Sequence, residues 1–75
     1  NQTPEFFAEV FNLSPAEAQV AVQLTAGLSL KEIAKTRKVA LTTVQSQLKS
    51  LKEKTATSRQ PDLVRKLAAM TALFD

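Results

Sequence analysis

Ten side chains of this 75-residue chain are Lys or Arg, and their placement is its strongest chemical signal. All ten fall between Lys31 and Lys66, where only Glu32, Glu53 and Asp62 oppose them, a local charge of +7. Residues 1–30 hold Glu5, Glu9 and Glu17 with no cation, and Asp75 closes the chain, so the overall charge is only +3. Cations gathered on one segment are what binding an anionic polymer such as nucleic acid requires. A small helical domain also carries Lys on solvated faces, and charge alone does not separate the two readings.

Other chemistry is largely excluded. With no Cys and no His, disulfides, thiolate or imidazole metal sites and Cys/His or Ser/His catalysis are out. Seven carboxylates remain, none in a paired motif. Glu17 and Glu32 each stand three residues after a serine, the spacing of a helix capping box, and read as capping acids rather than catalytic groups. No cofactor, metal or enzymatic activity is expected. No apolar run approaches the ~18 residues of a membrane span. The chain begins on Asn without an initiator Met, as expected of a piece of a longer protein.

The elements that must position these charges are all helical. Thr3, Pro4 and Glu5 read as cap, N1 proline and first-turn acid of a short helix through about Phe11. Ser14, Pro15 and Glu17 make a capping box with Pro at N1, and Leu13 stands at the staple position. This second helix is expected to run to Ala26, with Val20, Ala21 and Leu24 inward. Gly27 supplies the left-handed stop and Leu28 the apolar contact after it. Ser29 and Glu32 repeat the box and open a helix with Ile33 and Ala34 inward, ending near Arg37 or Lys38.

After a turn at 39–41, a helix from about Leu41 to Lys54 buries Val44, Leu48 and Leu51 at i, i+4, i+7. Val39 and Val44 are spaced as a staple, and the cap position falls on Ala40, which has no oxygen to offer. Thr42, Gln45, Ser46, Lys49 and Glu53 make the opposite face. Thr57 or Ser58 is expected to cap a last helix with Pro61 and Asp62 in its first turn. Its apolar surface is wider than one stripe: Leu63, Leu67, Met70 and Phe74 on one face, Val64, Ala68 and Thr71 on another. There is no strand alternation. The expected fold class is all-α, a compact four-helix domain at 13–75 preceded at 1–12 by a short helix or linker remnant. A two-turn helix, a short turn and a longer helix form a helix-turn-helix within it.

From Leu13 to about Leu67 the chain resembles the LuxR-type (GerE-like) helix-turn-helix domain of bacterial transcription regulators. The matching residues are Leu13, Ser14, Pro15 and Glu17; Ala26, Gly27, Ser29 and Lys31 to Ala34; Thr43, Val44 and Leu48; and Arg59, Gln60, Leu63 and Val64. They stand in register over about 50 residues without gaps. Departures fall at 38, where Gly or Asn is common, at 40, where Ser or Thr is common, and at 56, where Gly is common. Here these are Lys, Ala and Ala, so helix starts and turns are expected to shift slightly.

The resemblance implies sequence-specific binding of double-stranded DNA, with the 41–54 helix as recognition helix in the major groove. It implies base contacts by Gln45, Ser46 and Lys49. Glutamine can bridge adenine, lysine can donate to guanine, and serine allows close approach. Phosphate contacts are expected from Lys31, Lys35, Thr42, Thr43, Lys52, Lys54, Arg59 and Gln60, about half of which face the duplex. Lys38 either adds a contact or is solvated. A homodimer through Val64, Ala68 and Thr71 on the last helix is implied; the alternative is that this helix simply covers the core.

Phe6, Phe7 and Phe11 either cover the surplus apolar surface of that helix or belong to a linker docked on an upstream sensor domain. The protein would then be the C-terminal output domain of a bacterial cytoplasmic regulator, bound to DNA in the nucleoid, with RNA polymerase as a further partner and no membrane. The rival reading is a protein-binding helix-turn-helix adaptor or anti-activator that docks through its apolar last helix.

Overall fold

The computed structural model describes residues 4–74, and their side chains except those of Thr71, Leu73 and Phe74. Five helices follow one another: α1 (Pro4–Phe11), α2 (Pro15–Thr25), α3 (Leu30–Arg37), α4 (Leu41–Lys54) and α5 (Gln60–Phe74), with no strand among the described residues. The expected Thr3 cap and the Phe74 and Thr71 positions on the last helix lie outside the described residues or side chains.

Helix starts follow local chemistry. Ser14 and Ser29 both complete their capping boxes: each hydroxyl accepts the N–H of its glutamate at 3.2 Å, and each glutamate Oε1 accepts the serine N–H at 2.9 and 2.8 Å. Gly27, at φ 94°, ends α2 in the expected way. Its N–H reaches the Leu24 carbonyl, and the Leu28 N–H reaches that of Gln23.

The same left-handed conformation recurs at Lys38 (φ 59°) and Ala56 (φ 58°), where the resemblance leads one to expect Gly or Asn and Gly respectively. Each costs about 1–2 kcal/mol that glycine would not incur. The chain therefore keeps the turns on either side of α4 at some expense in stability. At Ala40 the α4 cap has no side-chain bond, as its methyl dictates. The expected staple is one-sided, since Val44 is fully buried and Val39 is 37 % exposed.

The start of α5 differs from expectation. The Leu63 N–H bonds the Arg59 carbonyl, so the cap position is Arg59 and neither Thr57 nor Ser58. Thr57 is used elsewhere: its hydroxyl meets that of Thr55, which is buried and donates to the Leu51 carbonyl. That local polar turn competes with capping and delays the helix by a residue or two.

α2 is the centre of the packing and touches α1, α3, α4 and α5. This is why Ala18, Val20, Ala21 and Leu24 are buried over an arc wider than one stripe. The core is closed by Phe7 from α1, Ile33 and Ala34 from α3, Val44, Leu48 and Leu51 from α4, and Leu63 and Leu67 from α5. Val64 packs half-buried against it.

Candidate nucleic-acid interface

The 3.6-residue period of α4 divides it into two faces. Val44, Leu48 and Leu51 point into the core, and Thr42, Gln45, Ser46, Lys49 and Glu53 are exposed on the other side. The three candidate base-reading residues, Gln45, Ser46 and Lys49, thus share one solvent-facing stripe. Thr42 and Thr43 are exposed at the N-terminal end of α4, where the helix dipole suits an anion, although the Thr43 N–H already bonds the Ala40 carbonyl at 3.0 Å. α3 packs on α4 and is joined to it by residues 38–40. Along α3, Lys31 and Lys35 are exposed one turn apart, and Lys38 follows, also exposed, at the cap.

Five other cations, among them Arg37 of α3 and Lys54 of α4, are engaged within the chain. Lys54 Nζ lies 2.7 Å from Glu17 Oε1. Arg59 pairs with Asp62 at 3.2 Å, and Arg65 reaches the other oxygen of Asp62 at 3.7 Å. Lys66 Nζ donates to the Thr55 carbonyl, and Arg37 Nη1 to Gln19 Oε1 at 2.7 Å. Arg59 is 76 % exposed, so its pair is worth little and is easily exchanged for another anion. The Lys54 pair is different, because its carboxylate is shielded: the Glu17 side chain is 10 % exposed.

Burial alone would raise the Glu17 pKa. Hydrogen bonds from Lys54, Ser50 and the Ser14 backbone, with the Lys54 charge, more than reverse that and lower it to about 2. Glu32, in the other box, is held below the ordinary carboxylate range by the Ser29 backbone and hydroxyl.

The five remaining cations, Lys31, Lys35, Lys38, Lys49 and Lys52, have no partner among the described residues, and all belong to α3, its cap or α4. Lys52 is half-buried and the other four are exposed. Opposing charge on these elements is limited to Glu32, tied to Ser29, and Glu53 near the end of α4. Among the described residues, the uncommitted positive charge is therefore gathered on two adjacent helices and the turn between them. Lys54 belongs to the fold first. Glu17 serves both its capping box and Lys54, and the box spacing announces only the first of these roles. Gln60 is half-buried at the start of α5, beside Arg59. On α5, Ala68 is exposed and Val64 half-buried.

Comparison with known protein families gives a match. The sequence model of a family described as bacterial regulatory proteins, luxR family (GerE), matches residues 11–67. No curated protein and no solved structure matches the chain. No helix among the described residues is long and apolar enough to cross a membrane.

Proposed function

The chain belongs to the luxR family of bacterial regulatory proteins, and from that premise we propose that it reads double-stranded DNA through α4, the recognition helix, laid in the major groove. The observation that carries this reading is the collection of all five uncommitted cations on α3, its cap and α4. Gln45, Ser46 and Lys49 meet base edges, with glutamine suited to adenine and lysine to guanine. Lys31, Lys35, Lys38, Lys52, Thr42 and Thr43 hold phosphates on either side. Gln60 is a further candidate, and Lys54 and Arg59 join only by leaving their carboxylates. The work is binding, not catalysis.

Four to six phosphate contacts give a log–log slope of affinity against salt of about −4 to −5. Titration of a random duplex at several salt concentrations measures it. A slope near zero, or no binding at low salt, would instead favour an adaptor that binds protein through α5.

In the full regulator this segment acts as the C-terminal output domain, in the cytoplasm, on a two-fold symmetric site occupied by a dimer. The dimer is proposed to form through Val64, Ala68 and Thr71 on α5. Ala68 is the clean test, because it is exposed and its replacement leaves the core intact. Ala68→Asp is expected to abolish self-association in sedimentation velocity; an unchanged profile of a self-associating parent would remove α5 as the dimer face.

A further inference from the structure

The seat of α4 depends on more than its apolar stripe. Apolar contacts are non-directional, so burial of Val44, Leu48 and Leu51 fixes which face points inward better than it fixes the helix along its axis. Directional ties do the latter, and two meet at the C-terminal end of α4, one turn beyond the Ser50 bond to Glu17. Lys66 of α5 donates to the Thr55 carbonyl. Lys54, the last residue of α4, donates to Glu17 Oε1 at 2.7 Å. That same oxygen accepts the Ser14 N–H at 2.9 Å. One carboxylate thus closes the capping box of α2 and holds the end of α4, linking residues 37 positions apart. α2 is the helix packed by all the others, so the anchor is the most constrained point available.

We propose that Glu17 is a positioning residue for DNA reading. Without touching a base, it fixes the axial seat of α4 and withholds Lys54 from the phosphate backbone. The proposal rests on the reading of α4 as the recognition helix. Its consequence is a split between two affinities. Removing the Glu17 charge loosens α4, so the base contacts at Gln45 and Lys49 lose alignment and sequence preference falls. The same change releases a cation from its partner, so binding to arbitrary DNA holds or strengthens. A side chain that merely stabilised the fold would lower both affinities in proportion to the folded fraction and leave their ratio unchanged.

The test measures two affinities for each variant: to the tightest duplex selected from a random library with the parent chain, and to a scrambled duplex of equal length. Folded fraction is followed by circular dichroism. Glu17→Gln keeps an oxygen for the Ser14 N–H and removes the charge. It is expected to lower the preference about five- to tenfold and to steepen the salt slope on scrambled DNA by about one. Lys54→Met leaves the capping box intact and is expected to lower the preference similarly, with no gain on scrambled DNA. The double variant should lose no more than the worse single one.

If Glu17→Gln does not fold, Lys54→Met decides, since the Lys54 side chain lies at the surface edge, 39 % exposed. Preferences within twofold of the parent in the folded variants overturn the proposal. Gln45→Ala and Lys49→Ala serve as controls. If they lower the preference and the Glu17–Lys54 variants do not, only the positioning role fails. If they too are without effect, the reading of α4 fails and the proposal falls with it.

Discussion

Alanine at Gln45 or at Lys49 is expected to lower the preference for a selected site over random DNA by about 1–3 kcal/mol each, the worth of a good base contact. Both side chains are exposed on the outer stripe of α4 and are engaged with no other described side chain, so no such bond would have to break before either met a base. Their cost on binding is the ordering of a flexible chain, up to about 2 kcal/mol for lysine, which only a well-aligned contact outweighs.

The two differ in what else they lose. Lys49→Ala also removes a cation and weakens random-duplex binding, whereas Gln45→Ala leaves that affinity nearly unchanged. Because both positions are exposed, folding stability should move by no more than about 0.5 kcal/mol, which separates lost contacts from lost structure. Competition between selected and random duplexes provides the measurement. Parent-like preference in both variants would show that this stripe does not read bases. Replacing a lysine proposed to hold phosphate, such as Lys31, is expected to act differently and lower affinity for all sequences alike.

The legible parts of this molecule were those governed by neighbours in sequence. Ser14 with Glu17, Ser29 with Glu32, and Gly27 with Leu28 each announce a helix end within three residues, and each does so in the structure. The two faces of α4 followed from period alone. The less legible parts depend on distant partners or on residues acting against type. Lys38 and Ala56 adopt a backbone conformation their side chains disfavour, and only the resemblance singled those positions out. The α5 start moved because the Thr55 and Thr57 hydroxyls found each other, a choice no cap rule encodes. The Glu17–Lys54 pair spans 37 residues, beyond any periodicity. Among the candidate phosphate contacts, sequence position treated Lys31 and Lys54 alike. The difference between them is a single carboxylate, which engages Lys54 and leaves Lys31 exposed without a partner among the described residues.

Phe7→Ala is expected to have the largest effect on stability, about 3–5 kcal/mol. Sequence alone left the three N-terminal phenylalanines between covering α5 and belonging to a linker. In the structure α1 packs on α2, Phe7 is fully buried in the core, and Phe6 and Phe11 lie half-buried against it. The Phe6 ring meets the Phe7 ring edge-on at 5.4 Å, so truncation removes an aromatic contact together with the buried volume.

A domain of this length has a total stability of about 4–11 kcal/mol, at roughly 0.05–0.15 kcal/mol per residue. A loss of 3–5 kcal/mol therefore consumes much or all of it. The family match begins only at Phe11. Most of α1 lies outside that match, yet it supplies the largest fully buried side chain of the core. Urea denaturation of the parent and of Phe7→Ala, followed by circular dichroism, gives the difference. A loss below about 1 kcal/mol would mean that α1 only rests on a core complete without it. The expected loss makes α1 part of the folding unit. DNA binding by Phe7→Ala should then fall on selected and random duplexes in the same proportion, because α1 carries no cation and acts only through the folded fraction.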